Sequence, residues 1–174
     1  MKKKLMGVLL VGILVSSFMF PAVAGATNPT VTITVSAQFI SITNSQDTWT
    51  MGVVGEGDAA VKWGSSDTHS QINNTGNVPV DIQIQGTNAT LEGYDWTLGS
   101  AAGDKIYSLY ANTEANPTTY DIEVKYTGYS NLTTNLATAT LYNWSMEFTP
   151  PTVFDPADPG TDKSITITLV ASKH

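Results

Sequence analysis

Apolar residues recur at every second position in this chain, in short runs broken by turn-forming residues. Residues 30–36 read TVTITVS, with Val31, Ile33 and Val35 on one face and Thr32 and Thr34 on the other. Val80, Ile82 and Ile84 alternate with Asp81, Gln83 and Gln85, and residues 164–171 read SITITLVA, with Ile165, Ile167 and Leu169 on one face. A period of two is that of a pleated strand with one buried face. No run after residue 26 carries the 3.6-residue period of an amphipathic helix. Further short strands are expected at 49–54, 59–63, 68–73, 94–98, 106–111, 120–126, 137–141 and 144–148. Turn-rich stretches separate them at 99–104, 112–118 and 127–134, and residues 150–163 form a loop holding Pro150, Pro151, Pro156 and Pro159. About ten short strands in one chain argue for an all-β, antiparallel β-sandwich; a barrel is the alternative.

The first 26 residues are of another kind. Lys2, Lys3 and Lys4 precede the charge-free apolar run 5–20, and Ala22-Val23-Ala24 and Ala24-Gly25-Ala26 follow Pro21. A basic head, an apolar middle and small residues at the cut are the layout of a secretory signal peptide. A retained anchor needs about 20 apolar residues, more than this run offers. A pilin-type leader cut after Gly7 would keep a helix that meets Pro21 early. Residues 1–26 are therefore expected to form a cleavable signal helix, and residues 27–174 a single secreted domain at the cell surface.

Three of the eight lysines lie in that leader, all 15 acidic residues lie beyond it, and the chain contains no Arg. Such a domain lacks the cationic surface that dominates nucleic-acid binding, and an anionic membrane would repel it once the leader is gone. Cysteine is absent too, which excludes disulfides, thiol catalysis and thiolate metal sites.

Few residues invite chemistry. His69 is the one internal histidine, and its surroundings, Ser66-Asp67-Thr68-His69-Ser70, form no nucleophile elbow; the chain is read as non-catalytic. Asp155, Asp158 and Asp162 share one loop with Gly160, a set of oxygen donors suited to calcium, though the spacing matches no EF-hand. Of Trp49, Trp63, Trp96 and Trp144, the last two sit within strands and are expected in the core. Trp63, beside Gly64-Ser65-Ser66, is the candidate for an exposed, sugar-stacking ring. Glycosylation sequons stand at Asn73, Asn88, Asn131 and Asn143.

The segment Ile72-Asn73-Asn74-Thr75-Gly76-Asn77-Val78-Pro79-Val80-Asp81-Ile82 resembles the N-T-G-N-x-P hairpin of Ig-like domains in prokaryotic surface and S-layer-associated proteins. That resemblance implies an Ig-like or jelly-roll-like sandwich with residues 68–86 as a hairpin. Trp96-Thr97-Leu98 resembles the first motif of WxL cell-wall-binding domains, whose second motif the chain lacks. The leader, the absence of Cys, the Thr-rich strands and an N-terminal strand resemble, in architecture, the TasA/camelysin-type filament subunits. The expected role is that of a structural surface protein that associates with itself or with other surface proteins. The alternative is a carbohydrate-binding module. Residues 30–36 either pair within their own sheet, beside 164–171, or leave it to complete the sheet of a neighbouring copy.

Overall fold

A computed structural model describes residues 34–63, 69–114, 117–158, 160 and 162–174. The expected signal helix and residues 30–33 lie outside these. From Ser36 to His174 the chain forms one compact unit, all-β and without a helix among the described residues.

Ten strands make two sheets. The larger has seven strands in the order β1 (Ile42–Asn44), β3 (Ser70–Asn74), β9 (Leu141–Thr149), β6 (Ile106–Asn112) and β5 (Thr97–Gly99). To it are added β2 (Val61–Trp63) on β9 and β7 (Ile122–Glu123) on β6. The smaller sheet has three antiparallel strands, β10 (Ile167–Lys173), β4 (Val80–Gly86) and β8 (Ser130–Leu136), with β4 central. One expectation needs correcting: the larger sheet is mixed, because β5 runs parallel to β6, with Thr97 opposite Ile106 and Gly99 opposite Ser108.

The longest strand, β9, organises the larger sheet. Its first half pairs with β3, Ser70 lying opposite Trp144, and its second half with β2, Trp63 lying opposite Met146. Its other edge takes β6 from Ser108–Thr149 to Asn112–Ser145. Alternation sends Trp144, Met146 and Phe148 inward, where they meet Ile72, Leu109, Val80, Ile82 and Ile84 in a single core shared by both sheets. Each such aliphatic side chain stabilises the fold by about 1.5–3 kcal/mol through burial. Tyr107 is buried with them. Its hydroxyl donates to the Thr87 carbonyl, and burial pushes its pKa up.

The segment expected as a hairpin is instead an arch between sheets. β3 pairs with β1 and β9, whereas β4 pairs with β10 and β8. The reason is that Ile72 and the Val80, Ile82, Ile84 face are both buried in the same core, so the chain must cross from one layer to the other. Asn74, fully buried, makes the crossing possible. Its Nδ2 donates to the carbonyls of Val78 and Leu136, both at 2.9 Å, and its Oδ1 accepts from the Gly76 N–H at 3.0 Å. Outside the arch, Thr75 and Gly76 donate to the Ser41 carbonyl, and Asn77 N–H donates to that of Phe39. The Asn77 side chain accepts from Phe39 N–H and donates to the Ala37 carbonyl, both at 2.7 Å. A Cβ on Gly76 would stand 2.5 Å from the Phe39 oxygen, so only glycine lets the two segments lie so close.

Other differences have equally local causes. Residues 49–54 form no strand; Gly52 sits at φ +78°, which breaks an extended run. Residues 130–134, expected within a turn, belong to β8, and the strand expected at 137–141 is absent but for Leu141, which begins β9. Two register shifts on β4 place Ser130, Asn131, Thr133 and Leu136 against it despite the missing alternation. Between the Val80–Leu136 and Ile82–Thr133 pairs, β8 carries an extra residue. There Asn135 takes φ +55° and donates its N–H to Asp81 Oδ1 at 2.8 Å, the signature of a bulge. Residues 34–36, the end of the expected first strand, are in no strand.

Candidate functional site

A groove runs along residues 163–169, the extended segment that leads into β10. Its near lobe, a cavity of about 340 Å³, has Trp144 and Met146 of β9, Leu109 of β6 and Trp63 of β2 as its floor, with Ile165, Ile167 and Leu169 as one wall. Its far lobe, about 600 Å³, continues past Ile165 to Lys163, Trp96, Phe148 and Phe154. Trp49, Met51 and Ile165 line both lobes. Lys163, Ile165, Ile167 and Leu169 are alternate residues, so the groove follows one face of an extended segment roughly 20 Å long at 3.3 Å per residue.

Three tryptophans shape the near lobe. Trp63 stacks on Trp49, with centroids 5.8 Å apart, and meets Trp144 edge-on at 5.2 Å and 83°. Trp144 Nε1 donates to Asn44 Oδ1 at 3.1 Å, and the same oxygen accepts from Ser70 Oγ at 2.6 Å. A buried indole N–H needs such a partner, and β1 supplies it across β3. Trp63 is only 9% exposed, so its ring is core. The Gly-Ser run that follows it in sequence does not bring it to the surface.

Trp49 belongs to a strap, residues 46–54, that lies over the groove between β1 and β2. Trp49, Met51 and Val54 pack against the core, whereas Val53 is exposed. Among the described residues, the backbone from 47 to 54 makes no hydrogen bond. Among the described residues, side-chain packing is what holds this stretch. β10 itself is an edge strand: β4 pairs along one side of it, and among the described residues no strand pairs along the other.

The acidic loop closes the far lobe with lysines. Lys163 Nζ lies 2.6 Å from Asp158 Oδ2 and 5.0 Å from the Trp96 ring centroid, and both charged side chains are 6% exposed. Trp96 in turn stacks on Phe154 at 4.7 Å. The Lys163 ammonium against it holds the Asp158 carboxyl below its ordinary value, burial opposes it, and the Gly160 N–H assists. Asp155 pairs with Lys105 at 2.8 Å, which lowers the acid and raises the amine. Asp162 is exposed at the rim. Two of the three candidate calcium ligands thus each face an ammonium, and among the described residues no group of three or more acidic or histidine side chains is arranged to hold a metal ion.

The sequon asparagines are scattered. Asn131 is exposed on β8, and its Oδ1 accepts from Gln83 Nε2. Asn73, Asn88 and Asn143 are half-buried. Asn88 Oδ1 accepts from the Leu98 N–H and Asn143 Oδ1 from Gln71 Nε2. His69 is half-buried just before β3. Sequence reasoning missed Asn44, Asn74 and the strap. The Asn-Thr-Gly-Asn turn is the signal that points to Asn74, while nothing local distinguishes Asn44 or residues 46–54.

Comparison with protein-family models, curated proteins and solved structures found no match.

Proposed function

We propose that this chain is a secreted, non-catalytic structural subunit of the cell surface, a two-sheet sandwich of Ig-like or jelly-roll-like kind that joins copies of itself by β-strand addition through residues 30–36. One observation carries the reading: β10 is an edge strand with no strand on its outer side among the described residues, and its Ile167 and Leu169 line an apolar cavity that a second, more polar lobe extends past Ile165. An edge of this kind is a template for another strand. The proposed donor has the matching pattern, Val31, Ile33 and Val35 on one face. Val35 is 84% exposed, and residues 34–36 lie in no strand. The leader supports export, and an acidic surface without Arg supports a role in which neither nucleic acid nor an anionic membrane is the partner.

Electron microscopy of the chain freed of its leader, beside a variant lacking residues 25–36, tests this. Filaments or ordered aggregates that disappear on deletion are expected. A monodisperse monomer in every condition overturns the proposal.

A further inference from the structure

We infer that the acceptor for the donated strand is the groove along β10, that its occupant is the 30–36 segment of a second copy, and that the 46–54 strap is a placeholder which that strand displaces. The inference rests on the strand-addition reading and adds where the strand goes and what yields to it.

The wall of the groove is one face of extended chain whose last part, Ile167 and Leu169, is β10. Lys163, Ile165, Ile167 and Leu169 line it in alternation, so an extended occupant running beside them presents its own alternate side chains to the same space. Residues 30–36 are the same length as the seven-residue β10, and their three β-branched residues share one face. Their threonines fall on the other face, beside Thr168, Val170 and Ser172 of β10. Those three lie opposite Gln85, Gln83 and Asp81, on the side of the smaller sheet away from the core.

The strap fills the groove incompletely. It places Trp49 on Trp63 and Met51 against the core, but both lobes stay open on either side of it. Its backbone from 47 to 54 has no hydrogen-bonding partner among the described residues, and it offers none to the outer edge of β10. An added strand supplies what the strap lacks, namely main-chain partners along the whole edge together with apolar side chains below it. A segment without backbone hydrogen bonds to the described residues opens at lower cost than the paired strands, so the cover can leave without unfolding the sheets. Ala37 and Phe39 are fastened to Asn77 at the arch, which roots the chain just after the donor segment on its own body.

The natural chain has no cysteine, so a disulfide between two introduced thiols reports contact without background. Thr32→Cys is combined in turn with Thr168→Cys, Val170→Cys and Ser172→Cys in the leader-free chain, and each is oxidised and run on a non-reducing gel beside the single variants. At least one pair is expected to give a ladder of covalent multimers that neither single variant gives. A closed disulfide in a monomer-sized band overturns the second copy as occupant. No disulfide in any pair while filaments still form places the acceptor elsewhere and leaves the strand-addition reading standing. The absence of filaments as well removes both. For the strap, Trp49→Ala and the milder Met51→Ser are each expected to speed assembly several-fold, with far-UV circular dichroism verifying the fold. Unchanged or slower assembly in a folded variant overturns the placeholder role.

Discussion

The side-chain amide of Asn74 donates to the carbonyl of Leu136 at 2.9 Å, joining the last residue of β3 in the larger sheet to the last residue of β8 in the smaller one. The bond is fully buried, and the same amide also satisfies Val78 and Gly76. Where the chain crosses between layers, this one side chain thus answers for polar backbone groups on both sides.

Asn74→Ala deprives the Val78 and Leu136 carbonyls of their side-chain donor at that crossing, while the Gly76 N–H keeps the Ser41 carbonyl. Leaving buried groups unsatisfied costs more than the net worth of the bonds, so a loss of about 2–4 kcal/mol is expected in urea unfolding. Asn74→Asp cannot donate to either carbonyl and is expected to be no better.

Gly76→Ala tests the close approach outside the arch. The added methyl meets the Phe39 oxygen at 2.5 Å and the Ser41 nitrogen at 3.0 Å, both backbone atoms that cannot rotate away. A destabilisation of about 1–3 kcal/mol is expected. Faster amide exchange at Thr75 and Asn77, which donate to residues 41 and 39, is the accompanying sign.

Trp63→Ala distinguishes a core ring from a sugar platform. Removing a buried indole that touches Trp49 and Trp144 is expected to cost about 3–5 kcal/mol in unfolding free energy. An exposed platform residue would leave stability unchanged and alter only glycan binding, so the pair of measurements separates the two roles.

Acid is expected to weaken the fold through Asp158. Its folded pKa lies below the ordinary 3.8 because the Lys163 ammonium pairs with it. A depressed carboxylate contributes stability that is complete above the unfolded value and is lost as pH falls through the folded one. Asp155 and Asp81 act with the same sign. Unfolding midpoints between about pH 5 and pH 2 should therefore fall, and Lys163→Met, which keeps an unbranched apolar stem beside Trp96, should flatten part of that slope.

Calcium is expected to leave the unfolding midpoint of the natural chain unmoved. Asp158 and Asp155 are each neutralised by a lysine, and Asp162 stands apart at the rim as an exposed residue. A midpoint that rises with added calcium and returns with a chelator would contradict this.

Much of the fold is legible along the chain. β4, β6, β9 and β10 fall within three residues of where alternation places them, the inward face of β4 is the one it marks, and Trp144 of β9 is buried as expected. Alternation is reliable there because it reflects backbone geometry, with successive Cβ atoms on opposite faces whatever the partner. β8 escapes it because bulges let Thr- and Asn-rich sequence pair without a regular apolar period. The run at 49–54 misleads because composition suits a strand but Gly52 turns the chain.

What the sequence determined by itself is thus local: an all-β chain, the faces that seek burial, and a turn at Asn74–Asn77 whose residue types suit it. Which edges meet was decided only in three dimensions. Each strand has two hydrogen-bonding edges and one apolar face, and local pattern does not say which neighbour takes which edge. The shared core made that choice, sending β3 and β4 to different sheets, burying Trp63 between Trp49 and Trp144, and leaving β10 at an edge over a groove.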